Sequence, residues 1–220
     1  MSCCAILVAA GSSRRMGFDK LAAPLAGMAV LRRSLEALLA TRSISSVVVV
    51  TPQERHVSLL SGSYSKPVIR VDGGENRQDS VQRGLSAVPA GTMVVAIHDG
   101  ARPLVSPDAV DRCIAAAVEH GAASLARPVS ETLKRADAKG LAMESVERNN
   151  LWFMETPQCF QLPLILQAYD EVVRLSLTVT DEVSALEAIG VPTLLIDSGC
   201  PNLKITHPSD LALAEALLHV

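Results

Sequence analysis

Short runs of Ala, Val, Ile and Leu recur along this chain, and they constrain its fold more than any other feature. They lie at residues 5–10, 46–51, 68–71, 93–98, 123–128 and 193–197. They do not alternate apolar with polar residues, so each reads as a strand covered on both faces. Between them lie helical patterns at 29–41, 77–88, 107–121, 181–190 and 208–220. Pro107 and Pro208 suit a first helical turn, and Gly121 and Gly190 suit C-terminal caps. Buried strands alternating with amphipathic helices predict an α/β fold: a three-layer α/β/α sandwich on a Rossmann-like, mostly parallel sheet.

One stretch breaks this rhythm. Residues 130–150 are polar, with the turn signal "DAKG" in the middle. They read as a β-hairpin or extended arm, spanning about residues 128–151. No repeat, low-complexity tract or linker divides the chain, so residues 1–220 read as one domain carrying this arm. An isolated hairpin is marginal in water. The arm is therefore expected to pack on a second copy of the chain, giving a homodimer.

Bulk charge removes several function classes. The formal net charge is -3, which offers no global basic field for nucleic acid or an anionic membrane. No apolar stretch approaches a membrane span. The five cysteines, Cys3, Cys4, Cys113, Cys159 and Cys200, show no metal-ligand spacing and read as reduced thiols. The opening apolar run is too short for a signal peptide, so a cytoplasmic protein is expected.

Ligands of open α/β sheets bind beyond the carboxyl ends of the strands, and four unusual segments fall there. The first, "AAGSSRRMGFDK" (9–20), joins Gly11, read as a tight-turn residue, to Arg14, Arg15 and Lys20. It suits a base and a polyphosphate, or it is a solvated basic turn. It is neither a Walker A loop nor G-x-G-x-x-G. The second, "VDGGENRQDSV" (71–81), places Gly74, Glu75 and Ser80 near a helix started by Asn76, and also reads as an ordinary capped turn.

In the third, "VVAIHDGARPLV" (94–105), a buried strand delivers Asp99 and Gly100 at its end, with Arg102 close by. A carboxylate there can hold Mg²⁺ or a ribose hydroxyl, or it is a turn residue. His98 reads as a hydrogen-bonded structural histidine. The fourth, "GCPNLKITHPSDL" (199–211), sets Lys204 in an apolar run read as the last strand, where it is either a site cation or a solvent-facing residue. Several cations, one acidic metal candidate and no nucleophile–base pair suit phosphoryl or nucleotidyl transfer, in which the substrate supplies the nucleophile.

The segments "AAGSSRRMG", "GGENRQDSV", "HDGARP", "PVSETLKR", "RNNLWFMETPQCF", "TDEVSALE" and "NLKIT" occur in order along nearly the whole chain. Together they resemble the 2-C-methyl-D-erythritol 4-phosphate cytidylyltransferase family, whose fold is of the nucleotide-diphospho-sugar transferase type. The resemblance implies transfer of CMP from CTP to methylerythritol phosphate with Mg²⁺, in a homodimer whose arms complete each other's sites. It assigns Ala9, Ala10, Gly11, Gly74, Glu75 and Ser80 to the cytidine, and Asp99 and Gly100 to Mg²⁺ and the ribose side. Arg15 and Lys20 fall on the triphosphate, and Lys204 on the α-phosphate and incoming phosphate. Thr132 and Arg148 of the arm fall on methylerythritol phosphate in the partner's site, with Arg102 and Thr156 nearby.

The chain departs from the family pattern at Ser13, in the short Gly17–Lys20 approach, at Glu155 and at Pro201. Two rivals share the fold: a ribitol-5-phosphate cytidylyltransferase and a non-catalytic nucleotide-binding protein. "ETLKR" and "RNNLW" followed by "TPQ" favour the methylerythritol enzyme over the first. Retention of Lys20, Asp99 and Lys204 argues against the second.

Overall fold

The computed structural model describes residues 2–11 and 17–218. Its strands are β1 Cys3–Val8, β2 Pro24–Leu25, β3 Met28–Ala29, β4 Ile44–Val50, β5 Val68–Val71, β6 Val94–Asp99, β7 Ala122–Pro128, β8 Leu133–Ala136, β9 Ala142–Val146, β10 Trp152–Gln161 and β11 Leu194–Asp197. Its helices are α1 Val30–Ala40, α2 Gln53–Leu60, α3 Arg77–Ser86, α4 Pro107–His120, α5 Leu162–Arg174, α6 Glu182–Glu187 and α7 Pro208–Leu217.

Seven strands form one sheet in the order β11-β7-β10-β6-β1-β4-β5. Only β10 runs against its neighbours, β6 and β7. Alternate side chains of each central strand enter different layers, as the period of two requires. Cys3, Ala5, Leu7, Val47, Val49 and Ala96 join the core with α1, α4 and α7. Cys4, Ile6, Val48, Val50, Val95 and Ile97 join the core with α3, α5 and α6. The three-layer sandwich and mostly parallel sheet are as the apolar runs predict.

The register places the ends of the middle strands together. Val8 faces Asp99 across the β1–β6 pair, and Gly100 N donates to Val8 O at 2.9 Å. A side chain at Gly100 would meet Ala9 Cβ at 3.2 Å and Leu31 Cδ1 at 2.9 Å, so the two strand ends can close only around a glycine. The polar stretch forms the predicted hairpin, β8 paired with β9, with both strands largely exposed.

Three features differ from the sequence reading. Residues 53–60 are a helix, although only Leu60 of it is buried. Residues 152–174 form β10 and α5, which no apolar run announced. The segment carrying Lys204 is a loop, not the last strand. Its tie to the neighbouring segment is a single backbone bond, Ile205 N to Ala101 O at 2.8 Å, and no ladder follows.

Helix α3 crosses the sheet closely because of Gly84. A Cβ there would stand 2.6 Å from Ile6 Cγ2 and 3.0 Å from Val50 Cγ2. Alanine would gain about 1 kcal/mol of helix propensity but overpack a buried contact at a cost of about 1–3 kcal/mol. Gly84→Ala should therefore lower the urea midpoint; an unchanged or raised midpoint would show that the helix shifts freely.

Candidate active site

At the carboxyl end of the sheet lies a cleft of about 640 Å³. Its lining gathers three sequence-distant segments with the end of β1: residues 9–11, 74–80, 99–101 and 204–206, with Lys20. Most residues singled out from the sequence are therefore in one place. Arg15 lies outside the described residues, as do Ser12, Ser13, Arg14 and Met16.

Asp99 is the centre of the charge pattern. It is 8 % exposed. Lys204 Nζ donates to its Oδ2 at 2.6 Å, and Arg77 Nε to its Oδ1 at 3.4 Å. Arg102 Nε stands 3.8 Å from Oδ2. Burial works to raise this carboxyl's pKa, but Lys204 and Arg77 outweigh it and hold the group well below the usual carboxylate range. Asp99 is an anion at any physiological pH.

The support beneath Asp99 is neutral. Thr156 Oγ1 accepts from Asp99 N at 3.1 Å and bonds His98 Nδ1 at 3.0 Å. His98 is fully buried, with its other nitrogen 3.1 Å from Arg102 O. Burial lowers its pKa to about 4, so it stays neutral, the structural histidine of the sequence reading. Thr156 is 4 % exposed. Its hydroxyl is engaged behind Asp99 and positions that strand end.

Lys20 reaches the same cleft from the first loop. Its Nζ donates to Ile205 O at 2.7 Å, which sets it against the segment bearing Lys204. Arg55 of α2, which sequence reasoning missed, braces this loop at both ends. It donates to Ala9 O at 2.5 Å, to Gly11 O at 3.3 Å and to Asp19 Oδ2 at 3.0 Å. Gly11 does not have a positive φ, and the turn expected of it runs into residues 12–16, outside the described residues. Among the described residues no atom beyond its chain neighbours lies within 4 Å of where its Cβ would stand.

The 74–80 wall is built as a capped turn. Asn76 caps α3 in a reciprocal box with Asp79. Gly74 N donates to Ser80 Oγ at 3.0 Å, and a Cβ at Gly74 would clash with Asp79 Cβ at 2.2 Å. Arg77, the first helical residue, was also missed. It bonds Glu182 through both terminal nitrogens, at 2.6 and 2.9 Å.

The arm residues are elsewhere within the chain. Thr132 and Arg148 line a separate concavity of about 320 Å³ on the hairpin. Arg148 bonds Ser130 O across the arm's base. Arg102 stands partly buried near Asp99 and donates to Asn202 O at 2.6 Å and Met154 O at 3.2 Å.

Metal candidates are few. Among the described residues no three His, Cys, Asp or Glu side chains converge as a cage. Among the described residues Asp99 is the carboxylate at the end of β6, and the exposed Glu75 also lines the cleft. Mg²⁺ commonly takes one or two carboxylates and completes its shell with waters and substrate phosphates, so a lone buried carboxylate facing a cleft fits an ion shared with a polyphosphate.

Comparisons with known proteins show what the whole chain is similar to. The family model of 2-C-methyl-D-erythritol 4-phosphate cytidylyltransferase matches residues 3–220. A relative of that description from Synechococcus sp. (strain CC9902) is 41% identical over 218 residues, covering 97% of this chain and 96% of its own length. One from Pelotomaculum thermopropionicum is 38% identical, covering 97% and 93%. The crystal structure of the Thermus thermophilus protein of that name superposes with a TM-score of 0.82 at 32% identity, covering 98% of each chain. A 4-diphosphocytidyl-2C-methyl-D-erythritol synthase from Anaerococcus prevotii gives 0.85 at 25% identity, covering 99% and 98%. No helix among the described residues is long and apolar enough to cross a membrane.

Glu155 is the poorly matched acid of this neighbourhood. It is 4 % exposed, its Oε1 stands 3.8 Å from Arg127 Nε, and its Oε2 has no hydrogen-bond partner. Burial raises its pKa against the pull of Arg102. A raised folded-state pKa means that the protein loses stability as pH rises through that value. Glu155→Gln should therefore be more stable than the native chain at pH 8, with the gap closing as pH falls to the ordinary Glu range of about 4.3. Urea titrations at both pH values check this, and a pH-independent gap would contradict it.

Proposed function

The chain belongs to the 2-C-methyl-D-erythritol 4-phosphate cytidylyltransferase family, and from that membership and the cleft geometry we propose how its residues divide the work. As a cytidylyltransferase it moves CMP from CTP to 2-C-methyl-D-erythritol 4-phosphate, giving 4-diphosphocytidyl-2-C-methyl-D-erythritol and pyrophosphate, in the non-mevalonate isoprenoid route. The observation that carries this is the family match over residues 3–220, on a chain whose cleft unites Lys20, Asp99 and Lys204.

Cytidine would lie along residues 9–11 and 74–80, which line the cleft, with Ala9, Ala10, Gly11 and Gly74 offering backbone groups and Glu75 and Ser80 edging the base and ribose. Arg15 and Lys20 hold the triphosphate, and Lys204 meets the α-phosphate and the incoming phosphate. That phosphate is already anionic at neutral pH and needs no general base. One of its oxygens bonds the α-phosphorus in line, the α–β bridging bond breaks, and pyrophosphate leaves with the electron pair. The cations lower the barrier by offsetting repulsion between two anions as charge builds on the α-phosphorus.

Asp99 would hold Mg²⁺ jointly with phosphate oxygens, with Gly100 on the ribose side, and the ion would supply further charge neutralisation. We further propose that residues 1–220 act as one catalytic unit, a cytoplasmic homodimer, with the arm at about 128–151 exchanged. Thr132 and Arg148 then grip methylerythritol phosphate in the partner's cleft, beside Arg102 and Thr156. A guanidinium fork suits a phosphate because it donates two parallel bonds. The separation of the arm's concavity from the cleft within one chain supports this exchange. So do the exposed apolar side chains of Leu141 and Met143 on the arm, which a partner would cover.

Pyrophosphate release with CTP and Mg²⁺ should appear with methylerythritol phosphate and not with ribitol 5-phosphate. The reverse would keep the CTP cleft but reassign the arm. Lys20→Ala should lower kcat about a hundredfold or more without unfolding the chain. Near-normal turnover would remove Lys20 from the mechanism.

Arm exchange has its own test. Lys20→Ala and Arg148→Ala protomers, each weakly active alone, should recover about a quarter of native activity when co-refolded in equal amounts. Half of the random C2 dimers then contain one site with both residues intact. No recovery would place Arg148 in its own chain's site or outside it.

A further inference from the structure

The pair Arg77–Glu182 ties one wall of the cleft to the sheet behind it. Glu182 is fully buried. Both its oxygens are held by Arg77, and Tyr169 OH donates to Oε1 at 3.2 Å. Its backbone is fixed as firmly. Glu182 N and Val183 N donate to Gln158 Oε1 at 3.0 and 3.2 Å, and Gln158 Nε2 donates to Asp181 Oδ2 at 2.9 Å. Gln158 is 1 % exposed on β10, which lies between β6 and β7, so this carboxylate is anchored to the middle of the sheet.

Arg77 transmits that anchorage. It opens α3 directly after the Asn76 cap, and its third nitrogen, Nε, donates to Asp99 Oδ1. Lys204 takes the other oxygen, Oδ2. With Glu182 absent, Arg77 would be a half-buried cation whose remaining carboxylate partner among the described residues was Asp99. It would then compete with Lys204 for a charge that Lys204 and a shared metal ion need. We propose that Glu182 is a positioning residue of the transfer reaction: it neutralises and orients Arg77 so that Asp99 stays gripped between Arg77 and Lys204. The inference rests on the proposed place of Asp99 in the site.

The network makes a specific kinetic prediction. Groups that act in one chain lose their effect together, so their losses do not multiply. Glu182→Gln, Arg77→Met and the double variant Arg77→Met/Glu182→Leu should each lower kcat by about tenfold or more and by similar factors, with KM for CTP nearly unchanged. Breaking a buried pair destabilises, whereas replacing both partners by apolar residues is often neutral. The double variant should therefore regain native thermal stability but not turnover. A purely structural pair predicts the opposite, with turnover returning as stability returns.

Tyr169→Phe keeps the ring and removes one donor to Glu182, and serves if the single variants do not fold. It should lower kcat a few-fold at native stability, and an unaltered kcat would overturn the proposal. Asp99→Asn separates the two readings. If it is inactive while the Glu182 and Tyr169 variants are normal, only the positioning role fails. If Asp99→Asn is fully active, the site reading fails with it.

Discussion

The buried carboxylate of Asp99 is the constraint on which the arrangement depends. An ionised group so shielded from water is tolerated only when paired and hydrogen-bonded. Its partners come from the start of α3, the turn after β6 and the loop before α7, at positions 77, 102 and 204. Each of these ties carries a backbone segment with it. The 201–206 loop, which has no ladder of its own, is held by Lys204 on Asp99, by Ile205 N on Ala101 O and by Ile205 O on Lys20. Charge pairing here does the positioning that strand pairing does elsewhere.

The same physics explains what was legible in the sequence. Runs such as 46–51 and 68–71 are strands because both faces are covered, and continuous Val and Ile report that directly. Asp99 was legible because a buried strand must deliver whatever follows it to the sheet's edge, and Asn76 because capping is local. What stayed hidden depends on distance in sequence. Arg77 and Glu182 are 105 residues apart, and "RQDS" and "TDEV" each read as an ordinary helix start. Arg55 lies in a helix with one buried residue, too weak a stripe to show periodicity. The Lys204 run was apolar enough to read as a strand, but only Leu203 and Ile205 pack, and no neighbour offers a ladder.

Strand β10 was hidden for a related reason. "METPQ" has the composition of a loop, yet it runs between β6 and β7 because Thr156 and Gln158 find fixed partners, Glu155 Oε2 being the exception. Thr156 serves Asp99 N and His98, and Gln158 serves the start of α6. A polar strand in mid-sheet is costly unless most of its polar groups are met. Here the meeting of those groups is also what places Asp99 and, through Glu182, Arg77. The central strand that looks least like a strand is therefore the one that carries the site's supports.

A chain of net charge -3 can still draw a polyphosphate, because the relevant field is local. Lys20 and Lys204 both border the cleft, and each is already held by a protein acceptor, Ile205 O or Asp99. Their side chains need not be ordered from a free state when a phosphate arrives, so much of the entropic cost of gripping it has been met in folding. The trade is one hydrogen bond for another, in a cleft whose walls exclude part of the solvent. Such exchange favours the species with most charge. For a nucleotidyl transfer that species is the transition state at the α-phosphorus, where nucleophile and leaving group are both present. The acid that balances the cations at rest is thus what keeps them available for the reaction.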